Sequence, residues 1–388
     1  GRADLAGGVI GAGAIGRGIG QGSAQGGMQV LLFDGVPGAA AKGQAYINGM
    51  LDRAVERGRS SAEDAAATKG RIRVIERLAD LAPAALVVEA VFEDLKVKHE
   101  VFQAVEAAVA PDAIIASNTS SIRIASIAAA CKHRERIAGL HFFNPVPLMA
   151  LVEVIRAAGT STATVEALCQ LGKRMGRVPV VVQDSPGFLV NLGGRSFTTE
   201  GLRIVSEGVA TPAQVDAIMR DSCGFRMGPF ELMDLTGIDV NYPVSQIIYN
   251  GFYQDRRLAT SPLHQAMMES GKLGRKTKSG WFDYDAEGNK QAPSADADVS
   301  AQPAPKLVLV EGNAKLLRLC TDAGAQILQR DDGTAPLVAA PLGEDCTAVA
   351  ARLGLEPRRL VAVDLSGNIA KRLTLMAAPG ADPAVMAA

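Results

Sequence analysis

Between residues 8 and 185 the chain repeats short apolar, β-branched runs: "GGVIGAG", "MQVLLFD", "RIRVIE", "ALVVEAV", "AIIASN", "RIAGLHFF", "LVEVI" and "VPVVVQD". Segments of helical length separate most of them, and strands alternating with helices predict a mostly parallel sheet covered on both faces. One helix is marked by Val97, Val101, Val105 and Val109, which share a face at four-residue spacing between Asp94 and Ala110. The breaker cluster Asp184-Ser-Pro-Gly187 ends this pattern, and residues 188 to 285 read as all helix. Two starts stand out there. Thr211-Pro-Ala-Gln214 combines an N-cap, a proline at the first helical position and a glutamine at the third, and Ser261-Pro262 is of the same kind. The stretch "YDAEGNKQAPSADADVSAQPAP" then reads as a linker. Beyond it, "KLVLVEG", "AQILQR", "PLVAAPLG", "LVAVDLS" and "KRLTLMAA" predict mostly short strands with one helical piece between.

Composition narrows the partners more than the fold. A chain of 388 residues exceeds one ordinary core, so two or three domains are expected. A net charge of −1 supplies no basic field, which argues against nucleic acid as a partner. The apolar runs are too short to span a bilayer and the N-terminus has no leader pattern, so no membrane is expected. The five cysteines are scattered without metal-like spacing, as buried thiols in a reducing cytoplasm would be, and no metal site is expected. The chain opens on Gly1 rather than methionine, which reads as a trimmed start.

The chemistry begins at Gly11-Ala-Gly13-Ala-Ile-Gly16, between an apolar run and a helical stretch, with Asp34 closing "MQVLLFD" about twenty residues on. Gly11 permits a tight turn, Gly13 lets a diphosphate approach the backbone, and Gly16 lets the helix pack close to the strand. Asp34 is placed to hold ribose hydroxyls and would repel a 2′-phosphate, which favours NAD over NADP as cofactor. Strand, glycines, helix, strand and terminal acid together form a Rossmann fingerprint; a glycine-rich turn without a ligand is the plain alternative. "EAVFEDLKVKHEVF" carries Glu93 and Lys98 from a strand end into a helix, either lining the cofactor crevice or forming a solvated helix start. In "ASNTSSI", Ser121 reads as the helix cap and Ser120 is left to face the crevice. "HFFNPVPLMALVEVI" sets Glu153 inside an apolar run, and a buried charge there requires a partner. Pro145 and Pro147 let two strands return beside each other, bringing His141 to Glu153, as either a satisfied core pair or a general base with its orienting acid. Asn191, in "SPGFLVN", is a nearby donor.

These residues resemble the L-3-hydroxyacyl-CoA dehydrogenase family, in its order, from residue 8 to about 285. The match includes "GAGAIGRGI", "EAVFEDLKVKHEVF", "SNTSS", "HFFNPVP", "DSPGFLVN", "GFRMGPFELMDLTGIDV" and "LGRKTKSGWFDY". The resemblance implies an α/β architecture with a Rossmann-type NAD-binding domain (1–186) and a helical substrate and dimerisation domain (187–286), to which the run pattern adds a linker (287–305) and a small α/β appendage (306–388). It implies His141 as general base, Glu153 as its partner, and Ser120 and Asn191 around the reacting oxygen. It implies dinucleotide contacts at Gly11, Gly13, Gly16, Asp34, Glu93, Lys98, Asn144 and Lys276, an acyl-CoA substrate and a homodimer. The appendage is similar to that of the longer bacterial 3-hydroxybutyryl- and 3-hydroxyadipyl-CoA dehydrogenases of phenylacetate breakdown. Those continue into a second helical domain that is missing after Ala388, as in a truncated chain or a shorter variant.

The sequence departs from the family at several points. Leu192 and Ser196 stand where arginine and proline are usual, Lys278 where glycine is usual, and the first strand, "LAGGVI", lacks the usual valines and isoleucines. The CoA-phosphate lysine has no clear counterpart; Arg57 and Arg59 in "ERGRSS" are its candidates. Two rival readings remain. One is a non-catalytic, structural or NAD-binding relative, which loss of any of the four central residues would favour. The other is a β-hydroxyacid dehydrogenase with a lysine base in the helical domain, where no convincing lysine is found.

Overall fold

The structure, a computed structural model, describes residues 5–292, 305–311 and 313–387. It divides into two compact units, one formed by Gly1–Arg195 with Val244–Ala259, the other by Ser196–Pro243 with Thr260–Ala388. All eight apolar runs of the first 185 residues form strands of one sheet. These are β1 (Ala6–Ile10), β2 (Gln29–Phe33), β3 (Ile72–Val74), β4 (Leu86–Glu89), β5 (Ile114–Ser117), β6 (Ile137–Phe142), β7 (Leu151–Arg156) and β8 (Val178–Gln183), in the spatial order 3-2-1-4-5-6-7-8. The first six are parallel, β7 runs antiparallel to β6, and β8 is parallel to β7. Order reverses between β1 and β4, the switch point beyond which ligands of such sheets sit.

Helices α1 (Ala14–Gln25), α2 (Ala39–Glu56), α3 (Ala62–Gly70), α4 (Leu95–Ala108), α5 (Ile124–Ala128) and α6 (Thr162–Arg174) accompany this sheet. Two apolar clusters are buried with it. One gathers Ile19, Ile47 and Leu51 with Val9, Leu32 and Leu168, and the other gathers Phe102 and Val105 with Val87, Ile115 and Ile137. The valine stripe of α4 faces the second cluster, with Val105 fully buried and Val101 packed at its margin. The two glycines of β1 are not a packing loss: a Cβ on Gly8 would lie 2.5 Å from Leu81 Cδ2, so neighbouring side chains already fill that space.

The helical part comprises α7 (Val190–Gly193), α8 (Arg195–Ser206), α9 (Pro212–Ala217), α10 (Pro229–Thr236), α11 (Ile238–Gly251) and α12 (Pro262–Glu269). Thr211 and Gln214 form the expected capping box, and Ser261 caps α12 through the N–H of Leu263 at 3.2 Å. The all-helix expectation needs one correction, a hairpin of β9 (Asp283–Tyr284) and β10 (Lys290–Gln291). Asp234 secures its start, accepting from the N–H groups of Trp281 and Phe282 and the hydroxyl of Tyr284. Most of the expected linker, residues 293–304, lies outside the described residues.

The appendage holds a five-stranded sheet of β11 (Lys306–Leu309), β12 (Gln326–Ile327), β13 (Leu337–Ala339), β14 (Leu360–Asp364) and β15 (Thr374–Ala377), ordered 12-11-13-14-15. It has more helix than the single piece expected: α13 (Ala314–Asp322), α14 (Cys346–Leu353) and α15 (Pro383–Ala387). Each is nine residues or fewer, too short for its periodicity to stand out from the flanking strands.

Candidate active site

The glycine turn after β1 has the geometry that its spacing predicts. Gly11 sits at φ +94°, and a Cβ there would lie 2.4 Å from the Ala90 carbonyl oxygen. A Cβ on Gly16 would lie 1.7 Å from the Gly11 oxygen, so only glycine lets α1 approach the turn. Gly13 faces open space, and no side chain caps α1. The first N–H groups of that helix are therefore bare at its positive end, a cradle that fits a dinucleotide diphosphate. Asp34, just past β2, accepts from the N–H of Ala12 at 2.7 Å through Oδ2 and from Val36 at 2.8 Å through Oδ1. It ties the end of β2 to the glycine turn, while its remaining lone pairs can still accept from ribose hydroxyls.

Beyond β4 and β5 lies a connected polar group. Glu89 is fully buried; its Oε1 accepts from Lys98 Nζ at 2.7 Å and from the Val91 N–H at 2.7 Å, and its Oε2 from the Ser117 hydroxyl at 2.7 Å. Lys98 is 1% exposed and also faces Glu93 Oε2 at 3.4 Å. Glu93 Oε1 collects the Thr119 hydroxyl at 2.5 Å, the N–H groups of Ser120 and Ser121 at 3.0 Å, and the Ser121 hydroxyl at 2.8 Å. Burial alone would raise Glu93, yet the Lys98 ammonium and the donors on Thr119 and Ser121 hold its carboxyl below the usual range. Ser121 thus does not cap a helix. Asp184 caps α5 instead, accepting from Ile124 at 2.7 Å and Ala125 at 2.8 Å.

His141 on β6 and Glu153 on β7 are directly opposite in the antiparallel register, as the return of two strands predicts. Nδ1 lies 2.6 Å from Glu153 Oε2, with the two residues 5% and 0% exposed. A carboxylate only accepts, so Nδ1 carries the hydrogen and Nε2 of the neutral ring keeps its lone pair. Among the described residues, Nε2 has no hydrogen-bond partner. Glu153 Oε1 accepts from the N–H groups of Leu189 at 3.0 Å and Val190 at 2.8 Å. Phe188 turns the chain toward it at φ +49°, a conformation that side chains other than glycine rarely adopt and that costs about 1 kcal/mol or more. Its ring is buried with its centroid 5.9 Å from that of His141.

Asn191 follows on α7, where its Nδ2 donates to the Ser120 carbonyl at 3.4 Å. His141, Glu153, Ser120 and Asn191 therefore share one unit and one edge of the sheet with Gly11, Gly13, Gly16, Asp34, Glu93 and Lys98. Asn144 is exposed in the loop after β6. Lys276 belongs to the second unit, where its ammonium pairs with Asp239. Lys278 beside it sits at φ +59°, the left-handed conformation that explains why glycine suits this position. Arg57 and Arg59 are exposed at the far end of α2 from Asp34, about 27 Å along an 18-residue helix. A cavity of about 640 Å³ lies elsewhere, lined by Leu5, Leu86, Ile114, Leu168 and Leu171 where strands begin, and no expected site residue reaches it. Sequence reading missed Glu89 and the N–H groups of Leu189 and Val190. An acid at a strand end looks ordinary, and backbone donors leave no trace in residue type.

Residues 7–185 match the 3-hydroxyacyl-CoA dehydrogenase NAD binding domain and residues 187–284 the C-terminal domain of the same family. The chain is 42% identical over 279 residues to the 3-hydroxyadipyl-CoA dehydrogenase of Escherichia coli, covering 72% of this chain but 59% of that relative's length. It is 39% identical to the 3-hydroxybutyryl-CoA dehydrogenase of Bradyrhizobium diazoefficiens, covering 74% of this chain and 97% of that one. A crystal structure of 3-hydroxybutyryl-CoA dehydrogenase from Escherichia coli superimposes with a TM-score of 0.82 at 35% identity, covering 99% of this chain and 76% of that chain. That superposition takes in the appendage as well. With both of the family's domains present in order and its NAD-binding sheet intact, the chain belongs to the 3-hydroxyacyl-CoA dehydrogenase family.

Proposed function

We propose that the protein catalyses the reversible, NAD-dependent oxidation of (S)-3-hydroxyacyl-CoA to 3-oxoacyl-CoA, with 3-hydroxybutyryl-CoA or 3-hydroxyadipyl-CoA as substrate. The observation that carries this reading is the buried His141–Glu153 pair, 2.6 Å apart, which leaves Nε2 as a proton acceptor. The nicotinamide, when bound, supplies the acceptor for the hydride from C3. His141 Nε2 takes the proton of the C3 hydroxyl, and Glu153 stabilises the imidazolium that results. The hydroxyl of Ser120 and the amide of Asn191 hold the substrate oxygens. Gly11, Gly13 and Gly16 receive the diphosphate, and Asp34 the adenosine ribose. Glu93 borders the nicotinamide half with the Lys98 ammonium paired behind it, and Asn144 adds a contact from the loop after β6. General-base catalysis supplies roughly 10²–10⁴-fold of the acceleration, placement and fixed dipoles the remainder.

The same reading makes the protein a cytoplasmic homodimer acting in fatty-acid β-oxidation or phenylacetate catabolism. The names of the relatives support an acyl-CoA substrate, and among the described residues no helix is long and apolar enough to cross a membrane. A panel of 3-oxoacyl-CoAs of increasing chain length, followed by NADH consumption, tests the activity. Turnover of the four-carbon or the ω-carboxylated six-carbon substrate is expected. No turnover of any member by a preparation that binds NADH would overturn the reading.

A further inference from the structure

The proposed mechanism gives Glu89 no part, yet it is among the most expensive residues to bury. A carboxylate with no exposure costs several kcal/mol unless its lone pairs are met. Here they are met by Lys98, Val91 and Ser117, each at 2.7 Å. Lys98 in turn is too enclosed, at 1% exposure, to be mainly a surface for a ligand. Its ammonium lies between two carboxylates, 2.7 Å from Glu89 and 3.4 Å from Glu93. Two carboxylates and one ammonium leave one unit of negative charge. Glu89 is sealed inside and Glu93 keeps a side chain 36% exposed, so that unit is presented by Glu93.

In a sheet of this order the glycine turn and the acid after β2 take the adenosine half of a dinucleotide. The other nucleoside crosses the switch point and lies beyond β4 and β5, where Glu93 gathers the turn of Thr119, Ser120 and Ser121. We propose that Glu89 is a positioning residue that neutralises Lys98, so that Glu93 faces the nicotinamide with a full negative charge and favours the oxidised, cationic ring over the reduced, neutral one. This inference rests on the dinucleotide reading of the same site. Without Glu89, the Lys98 charge passes to Glu93 and the cluster turns neutral.

The test is the ratio of dissociation constants, Kd for NAD⁺ over Kd for NADH, measured on the full chain by NADH fluorescence and by competition. A unit charge removed a few ångströms from a cationic ring in a partly solvated cleft shifts such an equilibrium on the order of tenfold. Glu89→Gln and Glu93→Gln each remove one unit from the cluster, so each is expected to raise the ratio about tenfold. The double variant Glu89→Gln/Lys98→Met removes a matched pair and is expected to keep the ratio within about twofold of the unmodified protein. An unchanged ratio in Glu89→Gln, or equal weakening of both ligands, would overturn the assignment, because a purely structural role predicts one of those. Where Glu89→Gln does not fold, the double variant decides. A ratio that falls would mean that the Lys98 charge had reached the ligand unopposed, and a ratio that holds supports neutralisation by Glu89. Failure of the unmodified chain to bind either dinucleotide would instead overturn the functional reading itself.

Discussion

His141 and Glu153 face each other across the one antiparallel pairing in the eight-stranded sheet, joined by a 2.6 Å hydrogen bond. The reversal brings a residue from the beginning of β7 to one at the end of β6, at the edge where the parallel strands present their loops. His141→Ala should lower kcat by roughly 10²–10⁴-fold while the Kd for NADH, followed by fluorescence, changes little. Near-normal turnover would remove His141 as the base. Glu153→Gln is expected to be almost as damaging. Glu153 accepts from three N–H donors, and glutamine has only one oxygen for them. Its NH₂ must then face either the backbone of Leu189 and Val190 or the ring of His141, and the latter reverses the tautomer and occupies Nε2.

Asp34 should set the choice of cofactor. It ends β2 with both oxygens accepting backbone N–H groups and is followed by Gly35 and Val36, with no arginine to receive a 2′-phosphate. The unmodified protein is expected to use NADH in preference to NADPH. Asp34→Ala should narrow that gap and weaken NADH by about tenfold, since a hydrogen bond to a charged group is worth ~1.5–3 kcal/mol. Steady-state kcat/KM for both cofactors checks both statements, and equal values in the unmodified protein would refute the first.

Asp216 gives the second unit a pH dependence of unusual sign. Burial pushes its carboxyl up to about 6, although the N–H groups of Phe230 and Glu231 pull the other way. Between an unfolded value near 4 and the folded value of about 6, the folded protein holds the extra proton, so this group's contribution to stability falls as pH rises through that window. The term amounts to ~3 kcal/mol at most. The stability of Asp216→Asn relative to the unmodified protein should therefore improve between pH 4 and pH 7 and stay level above it. Urea midpoints for both proteins across that range provide the measurement; a difference independent of pH would count against it.

Lys278 should be a place to gain stability. Holding a lysine at φ +59° costs about 1 kcal/mol relative to glycine. Its ammonium reaches the carbonyls of Asp285 and Ala286, but on an exposed loop such bonds are worth little. Lys278→Gly is expected to raise the midpoint of thermal unfolding by ~2–4 °C, and a fall on calorimetry would show that those two contacts outweigh the strain.

The parts of this molecule that could be read from sequence are those where one residue breaks the pattern of its neighbours. Glu153 stands out because an apolar strand surrounds it, and the glycine turn because three glycines fall between a strand and a helix. Every strand of the first unit announces itself through β-branched runs, even β1 with its two glycines. Glu89 stays hidden because it closes a strand, where a polar residue is expected, and its partners lie nine and twenty-eight positions away. Phe188 looks like an ordinary core aromatic; that it turns the chain at a positive φ is a property of the backbone alone. Lys98 is legible as a residue that follows a strand end into a helix but not as a buried one, since burial of a lysine follows from two acids that only folding assembles.

The five-residue π-turn at Ile218–Ser222, after α9, holds one residue more than a regular helix needs. The segment between β14 and β15 meets it there. The Asn368 N–H donates to the Ser222 carbonyl at 2.9 Å, the Ser222 hydroxyl donates to the Arg372 carbonyl at 3.2 Å, and Arg372 Nε reaches Asp221 at 2.9 Å. The last carbonyls of a helix find no partner within it, and here a loop some 150 residues further on satisfies that of Ser222. Straightening the turn by deleting one residue would move the acceptor and rotate everything after it by about 100°. The appendage and the helices are thus keyed to each other, and amide protection in Ile218–Ser222 should be lost together with that of residues 367–372 as one cooperative unit.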